Sequence, residues 1–232
     1  MKFSAARETV LKPLQTVVGV VERRQTMPIL SNVLLSTQGT KLSITATDLE
    51  VEMVAEAEVK TDGAGEITVP GRKLHDIFRA LPEGTAVDVS LSGERLTIKG
   101  GRSRFTLSTL RATDFPTIDE IGAKQTLRVN RADLRRLVEK THFSMAQQDV
   151  RYYLNGLLLE TEKKRLRAVA TDGHRLALSE VDLLAAAGRD EQLIVPRKGV
   201  LELSRLLDGE GEVEVALGAN HIRAQFDGIR LT

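Results

Sequence analysis

An internal repeat limits what this chain can fold into more than any other feature. Ala46-Thr47-Asp48-Leu49-Glu50 recurs as Ala170-Thr171-Asp172-Gly173-His174, 124 positions on. Val69-Pro70-Gly71-Arg72-Lys73 recurs as Val195-Pro196-Arg197-Lys198-Gly199, and Leu96-Thr97-Ile98 as Ile222-Arg223-Ala224, both 126 positions on. Ser31-Asn32-Val33-Leu34-Leu35 is matched to Leu154-Asn155-Gly156-Leu157-Leu158. Solenoid units repeat every ~20–50 residues, so this longer period means tandem domains of one fold. A chain of 232 residues has room for two.

Each copy combines two helices with a larger set of strands. In the first, Val10, Leu14, Val17, Val18 and Val21 share one face of a helix over 7–21. Pro13 should kink that helix or mark a late start. Leu74, Ile77, Phe78 and Leu81 line a second helix over 72–81, stopped by Pro82-Glu83-Gly84. In the second copy Asn130 is the expected N-cap of a helix with Leu134, Leu137 and Val138 inward. Residues 50–59 alternate, which predicts Val51, Met53 and Ala55 inward and Glu52, Glu56 and Glu58 on a solvated face. Tyr152 to Glu160 reads as a strand, with one of the adjacent Tyr152 and Tyr153 buried and the other exposed. Asp172-Gly173, between alternating runs, predicts a hairpin turn. The aperiodic stretch 114–120 reads as a linker between domains 1–120 and 124–232. The fold class is α+β, with helices on one face of antiparallel sheets. The second copy stops at Arg230-Leu231-Thr232, the counterpart of about Arg104 to Thr106, and is expected to be C-terminally incomplete.

The chemistry tests mostly exclude. Without cysteine there is no disulfide or thiolate site. His75, His142, His174 and His221 are not at metal-ligand spacing, so no metal and no cofactor is expected. There is no phosphate-binding loop, and Gly209-x-Gly211 reads as a helix-end turn. Asp172 and His174, with Ser179 downstream, could be read as a hydrolase site. The first copy, however, has Glu50 where His174 stands, and no nucleophile elbow is present. No apolar run nears the ~20 residues of a membrane span, and a cytosolic location is expected.

Charge is informative through its placement, because the net charge is only +1. Arg7, Lys12, Arg72, Lys73, Arg79, Arg131, Arg135, Arg136, Lys140, Arg197, Lys198 and Arg205 all fall on or beside predicted helices. Acids concentrate on strands and turns. A basic helical face would hold phosphates without reading sequence, although such residues also simply solvate helices.

Three stretches carry a resemblance: Asp149-Val150-Arg151-Tyr152-Tyr153-Leu154-Asn155-Gly156, Ala170 to Ala177, and Val195 to Gly199. They closely resemble the bacterial β sliding clamps, the processivity subunits of DNA polymerase III. Lys12-Pro13-Leu14, Pro28-Ile29-Leu30, Thr47 to Glu50 and Gly101 to Leu110 agree. The resemblance implies tandem copies of the DNA-clamp fold and a homodimeric ring, three copies per protomer, encircling duplex DNA with its helices. It implies a non-catalytic tether in the bacterial cytoplasm, associated with the nucleoid. The tether would serve the replicative polymerase, the clamp loader, translesion polymerases and mismatch-repair proteins through short clamp-binding peptides. The implied peptide pocket contains Leu154, Thr171, Gly173, His174, Arg175 and Leu176. Implied DNA contacts are Arg24, Arg72, Gln148, Tyr152, Tyr153, Arg197 and Lys198. The implied dimer interface uses Lys73, Ile77, Leu81, Arg95, Arg102, Arg104, Phe105 and Leu107. The family's third domain is not in this sequence. The chain is therefore expected to be a monomer with an incomplete pocket and with Phe105 and Leu107 exposed. A partner-binding scaffold that never meets DNA is the remaining alternative.

Overall fold

The structure, a computed structural model, describes residues 1–21, 27–118 and 121–232. The chain divides into two compact units, Met1–Thr117 and Ile118–Thr232. The first unit runs β1 (Lys2–Ala6), α1 (Arg7–Val17), β2 (Asn32–Gln38), β3 (Lys41–Thr47), β4 (Glu52–Glu58), β5 (Lys60–Gly63), β6 (Gly65–Pro70), α2 (Gly71–Ala80), β7 (Ala86–Ser92), β8 (Arg95–Gly100) and β9 (Ser103–Ser108). The second runs β10 (Gln125–Asn130), α3 (Arg131–Glu139), β11 (Gly156–Glu162), β12 (Arg165–Thr171), β13 (Leu176–Asp182), β14 (Glu191–Pro196), α4 (Arg197–Leu206), β15 (Glu212–Leu217), β16 (Ile222–Phe226) and β17 (Ile229–Leu231).

The units repeat each other strand by strand, all antiparallel. The order β5-β1-β7-β8-β9 in the first unit corresponds to β10-β15-β16-β17 in the second. The order β4-β3-β2-β6 corresponds to β13-β12-β11-β14. The helices repeat as well. α1 packs on β3, β4 and α2, and α3 on β12, β13 and α4. β5 has no counterpart among the described residues. The matching connection in the second unit instead bonds β10 at two places: Leu184 N–H donates to the Arg128 carbonyl at 3.0 Å, and the Arg189 backbone exchanges hydrogen bonds with the Gln125 side-chain amide.

The elements arise where apolar residues meet the right period. Val10, Leu14 and Val17 of α1 are buried, as are Leu74 and Phe78 of α2. In the second unit Leu134, Leu137 and Val138 pack with Leu157, Leu159, Leu166, Ala168 and Val200 in one core. Each such large side chain contributes roughly 1.5–3 kcal/mol when fully buried. Asn130 caps α3, its side-chain oxygen accepting the Ala132 N–H at 3.0 Å.

Several local expectations are corrected. α1 starts at Arg7, so Pro13 lies inside it rather than at a late start. Glu52 is buried, because both faces of β4 are covered over Glu52 to Ala55, and of the three acids only Glu56 and Glu58 are exposed. Tyr152 and Tyr153 are not on a strand. They lie in a 3-10 turn, Tyr152–Asn155, and both are exposed. The Asn32/Asn155 match is one residue out of register. Asn32 pairs with Pro70, while Gly156 pairs with Pro196, so Gly156 is the structural equivalent. The two asparagines also do different work. Asn32 bonds Thr68 Oγ1 at 2.9 Å, whereas Asn155 holds the Asp149 backbone through its side-chain amide. Of the linker stretch, Asp119 and Glu120 lie outside the described residues. Phe115 is not free chain, since it packs on Ile29, Leu30 and Leu34.

Candidate functional site

Thr171 pairs with Leu176 across β12 and β13, so the hairpin closes through the four residues 172–175 rather than a two-residue Asp-Gly turn. The loop is locked from within. Asp172 Oδ1 accepts the backbone N–H of His174 and of Arg175, both at 3.0 Å. Thr171 Oγ1 accepts the Gly173 N–H at 3.1 Å and donates to the Arg175 carbonyl at 2.7 Å. These contacts hold the Asp172 carboxyl down at about 2; the Arg175 N–H is the largest cause, then that of His174, with the Arg175 side chain adding to them. The carboxylate thus serves the loop backbone and Arg175. What it takes from His174 is the backbone N–H, not an imidazole proton.

The first unit builds the same loop. Thr47 Oγ1 accepts the Leu49 N–H at 3.1 Å, and Asp48 Oδ1 accepts the N–H of Glu50 at 3.0 Å and of Val51 at 2.7 Å. Gly173 has φ +89° and Leu49, at the same place, φ +79°. The Thr-Asp pair therefore belongs to the fold. What the second copy adds lies around it. Leu176 is 64% exposed and Leu178 53%, whereas their equivalents Glu52 and Val54 are 1% and 5% exposed. Leu154 is nearly buried and contributes its carbonyl to the Ala146 N–H. Beside the loop, Arg151 forks onto Asp149, Nε to Oδ1 at 3.0 Å and Nη2 to Oδ2 at 2.9 Å. That fork, followed by the Arg151 N–H, pulls the Asp149 carboxyl down to about 2. A Cβ added at Gly173 would meet Arg151 Nη2 at 3.3 Å.

The candidate DNA contacts of the second unit gather at one end of its β11-β14 pair. Gly156 opposite Pro196 sets the Tyr152–Asn155 turn beside the start of α4. Arg197 Nη1 reaches the Met145 carbonyl at 3.3 Å, Gln148 is exposed with φ +55°, and Lys198 is half-buried. The Tyr152 and Tyr153 rings meet edge to face at 5.9 Å. In the first unit Arg72 is exposed and donates to the Val21 carbonyl at 2.6 Å. Arg24 lies outside the described residues.

The basic helical surface is smaller than the sequence suggests. Arg7 Nε and Nη2 donate to the Phe78 and Arg79 carbonyls, at 2.8 and 3.0 Å, and so cap the end of α2. Arg131, the equivalent first residue of α3, is 5% exposed. It bonds Asp227 Oδ2 at 2.7 Å, touches the Asp208 carbonyl at 3.4 Å, and lies 4.6 Å over the Phe226 ring. Arg79, Arg135, Arg136 and Arg205 pair with Asp76, Glu139, Asp133 and Glu202 on their own helices. The same-helix pairs follow helical spacing, whereas a helical period cannot reveal the partners of Arg7 and Arg131, which come from the neighbouring helix and from turns.

The candidate interface residues split between surface and interior. Lys73, Arg95, Arg102 and Arg104 are exposed, and Ile77 and Phe105 half-buried. Leu81 and Leu107 are buried, at 4% and 8% exposure, which corrects the expectation of an exposed Leu107. Leu81 packs so closely on the β8 end that a Cβ at Gly100 would meet its methyls at 3.0 Å.

Residues 1–119 match the DNA polymerase III beta subunit, N-terminal domain, and residues 128–232 match its central domain. The chain belongs to the DNA polymerase III beta subunit family, the beta sliding clamps. It is 56% identical to the beta sliding clamp of Pseudomonas putida over 97% of its own length and 62% of that relative's. Against the beta sliding clamp of Escherichia coli K12 the identity is 52%, with the same coverage. The crystal structure of the Pseudomonas aeruginosa sliding clamp bound to griselimycin superposes with a TM-score of 0.95 at 53% identity, covering all of this chain and 63% of that one. That of Caulobacter crescentus gives 0.94 at 44% identity, with coverage of 100% and 64%. The chain thus spans under two thirds of the length of these clamps. In this clamp chain, sequence reasoning passed over the Asp149–Arg151 fork, the Arg7 and Arg131 anchors, and the exposed Phe143. The repeat offered a signal for the anchors alone, since Arg7 and Arg131 are 124 residues apart, each opening the first helix of its copy.

Proposed function

We propose that this chain supplies two of the repeated domains of a DNA sliding clamp, a non-catalytic ring that keeps replicative polymerases on duplex DNA. Leu154, Thr171, Gly173, His174, Arg175 and Leu176 form the part of a peptide-docking site that this chain contributes. Short clamp-binding segments of the polymerase, the clamp loader, translesion polymerases and mismatch-repair proteins would dock there through apolar anchors. Arg24, Arg72, Gln148, Tyr152, Tyr153, Arg197 and Lys198 would meet DNA phosphates and sugars without reading sequence. Lys73, Ile77, Arg95, Arg102, Arg104 and Phe105, with Leu81 and Leu107 packed beneath them, would face a second protomer. The site of action would be the cytoplasm, at the nucleoid; no helix among the described residues is long and apolar enough to cross a membrane.

The observation that carries this reading is the contrast between two equally built loops. The second copy follows its locked Thr-Asp turn with Leu176 and Leu178, where the first copy has Glu52 and Val54. The test is fluorescence anisotropy with a labelled peptide from the clamp-binding segment of a replicative polymerase. Leu176→Asp should weaken binding at least about tenfold, the scale of a central anchor. Leu49→Asp, in the first copy, should not. Equal loss from both, or from neither, refutes the docking reading.

A further inference from the structure

Arg175 has the look of a free cation waiting for an acidic partner, but its bonds are already made inside the chain. Its N–H goes to Asp172 Oδ1 at 3.0 Å and its carbonyl receives Thr171 Oγ1 at 2.7 Å. Nε donates to Asp172 Oδ2 at 3.0 Å, and Nη2 to the carbonyl of Phe143 at 2.6 Å. The guanidinium carbon also lies 5.7 Å from the centre of the Phe143 ring, within cation–π range.

Phe143 stands on a stiff base. It lies in the 3-10 turn His142–Ser144 just after α3. That turn is held by Thr141 Oγ1 to the Leu137 carbonyl at 2.7 Å, by His142 Nδ1 with the Val138 carbonyl at 3.0 Å, and by the Ser144 N–H to the Thr141 carbonyl at 3.0 Å. Phe143 is 51% exposed, too open for a core residue. The first copy carries Val51, buried, at the place of Arg175, and Val51 has no guanidinium to reach sideways.

We propose that Phe143 is a positioning residue for the docking site: its carbonyl and ring hold the Arg175 guanidinium, and Arg175 thereby ties the 172–175 loop, and Leu176 directly after it, to the end of α3. Arg175 then acts through geometry and not as a charge that reads an acidic peptide. This rests on the docking reading above, and the test separates the two.

The labelled polymerase peptide is titrated into Phe143→Ala, Arg175→Ala, the double variant, Phe143→Tyr and Leu176→Asp. Exchange of the backbone amide at position 175 is measured in each without peptide. Phe143→Ala should weaken binding about two- to fivefold, the scale of one exposed cation–π contact. Arg175→Ala should weaken it about tenfold, the scale of a lost charge-assisted hydrogen bond. The double variant should be no weaker than Arg175→Ala, and Phe143→Tyr should bind like the parent. Arg175 amide exchange should quicken in Phe143→Ala even without peptide. Additive losses in the double variant, or unchanged exchange in Phe143→Ala, overturn the proposal. If Leu176→Asp binds normally while Phe143→Ala still speeds exchange, the docking reading fails and the positioning role stands.

Discussion

Replacing Arg7 by Ala should destabilise the first unit by about 2 kcal/mol, although the sequence casts Arg7 as a surface cation. Its side chain is 12% exposed and spans from the first turn of α1 to the last carbonyls of α2. Each charge-assisted bond to those carbonyls is worth about 1.5–3 kcal/mol when buried, and the lower figure applies where water can replace it. The positive charge at a helix C-terminus adds about 0.5 kcal/mol. Against this, truncation frees roughly 1.5–2 kcal/mol of side-chain entropy that the anchored arginine had lost. A net loss of about 2 kcal/mol lowers the melting temperature of a unit of this size by roughly 8 °C. Arg7→Lys keeps the charge but not the fork, and should recover only the dipole share, about 0.5 kcal/mol. Urea unfolding followed by far-UV circular dichroism measures both, with amide exchange at Leu81, whose N–H bonds the Ile77 carbonyl at the α2 end, as the local report. Peptide binding in the second unit should be unchanged. If Arg7→Ala unfolds within about 0.5 kcal/mol of the parent, or Arg7→Lys restores full stability, the carbonyl-capping argument is wrong.

Three further outcomes follow from the same geometry. Asn130→Ala should cost about 1 kcal/mol in urea unfolding of the second unit, and Asn130→Asp should cost much less, because either side chain can accept the Ala132 N–H. Gly173→Ala should destabilise the hairpin by about 1 kcal/mol, since alanine resists φ +89°, and Leu49→Gly should be neutral or stabilising in the first copy; the reverse ordering in thermal melts would contradict the shared-loop argument. The Asp172 carboxyl is depressed from its ordinary 3.8 to about 2, so its support of the loop is complete above about pH 4 and fades as the pH falls toward 2. Chemical shifts of the His174 and Arg175 amides should therefore titrate well below 3.8, and a midpoint at or above that value would count against the locked loop.

Much of the architecture can be read in the residues because it depends on local periodicity and on repetition. Val10, Leu14 and Val17 mark α1, Leu134, Leu137 and Val138 mark α3, and Asn130 announces its cap. The Thr-Asp pairs at 47–48 and 171–172 announce one loop twice. Other features depend on distant partners. Alternation put Glu52 on the surface because a period of two names faces but not what covers them. The aromatic pair at 152–153 reads as strand by propensity. A 3-10 turn forms instead because Leu154 N–H bonds Arg151 O and Asn155 clasps Asp149.

The candidate site divides along the same line. The sequence alone determined that this chain is two copies of one fold, that the second copy alters the loop it shares with the first, and that Gly173, His174 and Arg175 carry that alteration. Only the tertiary structure decided how those residues are used. It spent Asp172 on backbone N–H groups and Arg175 on the Phe143 carbonyl, took Arg7 and Arg131 out of the basic surface, and left Leu176 and Leu178 uncovered. The reason is physical. A hydrogen bond or an ion pair between residues 32 or 71 positions apart leaves no periodic trace in the chain, whereas a helix face or a repeated turn does.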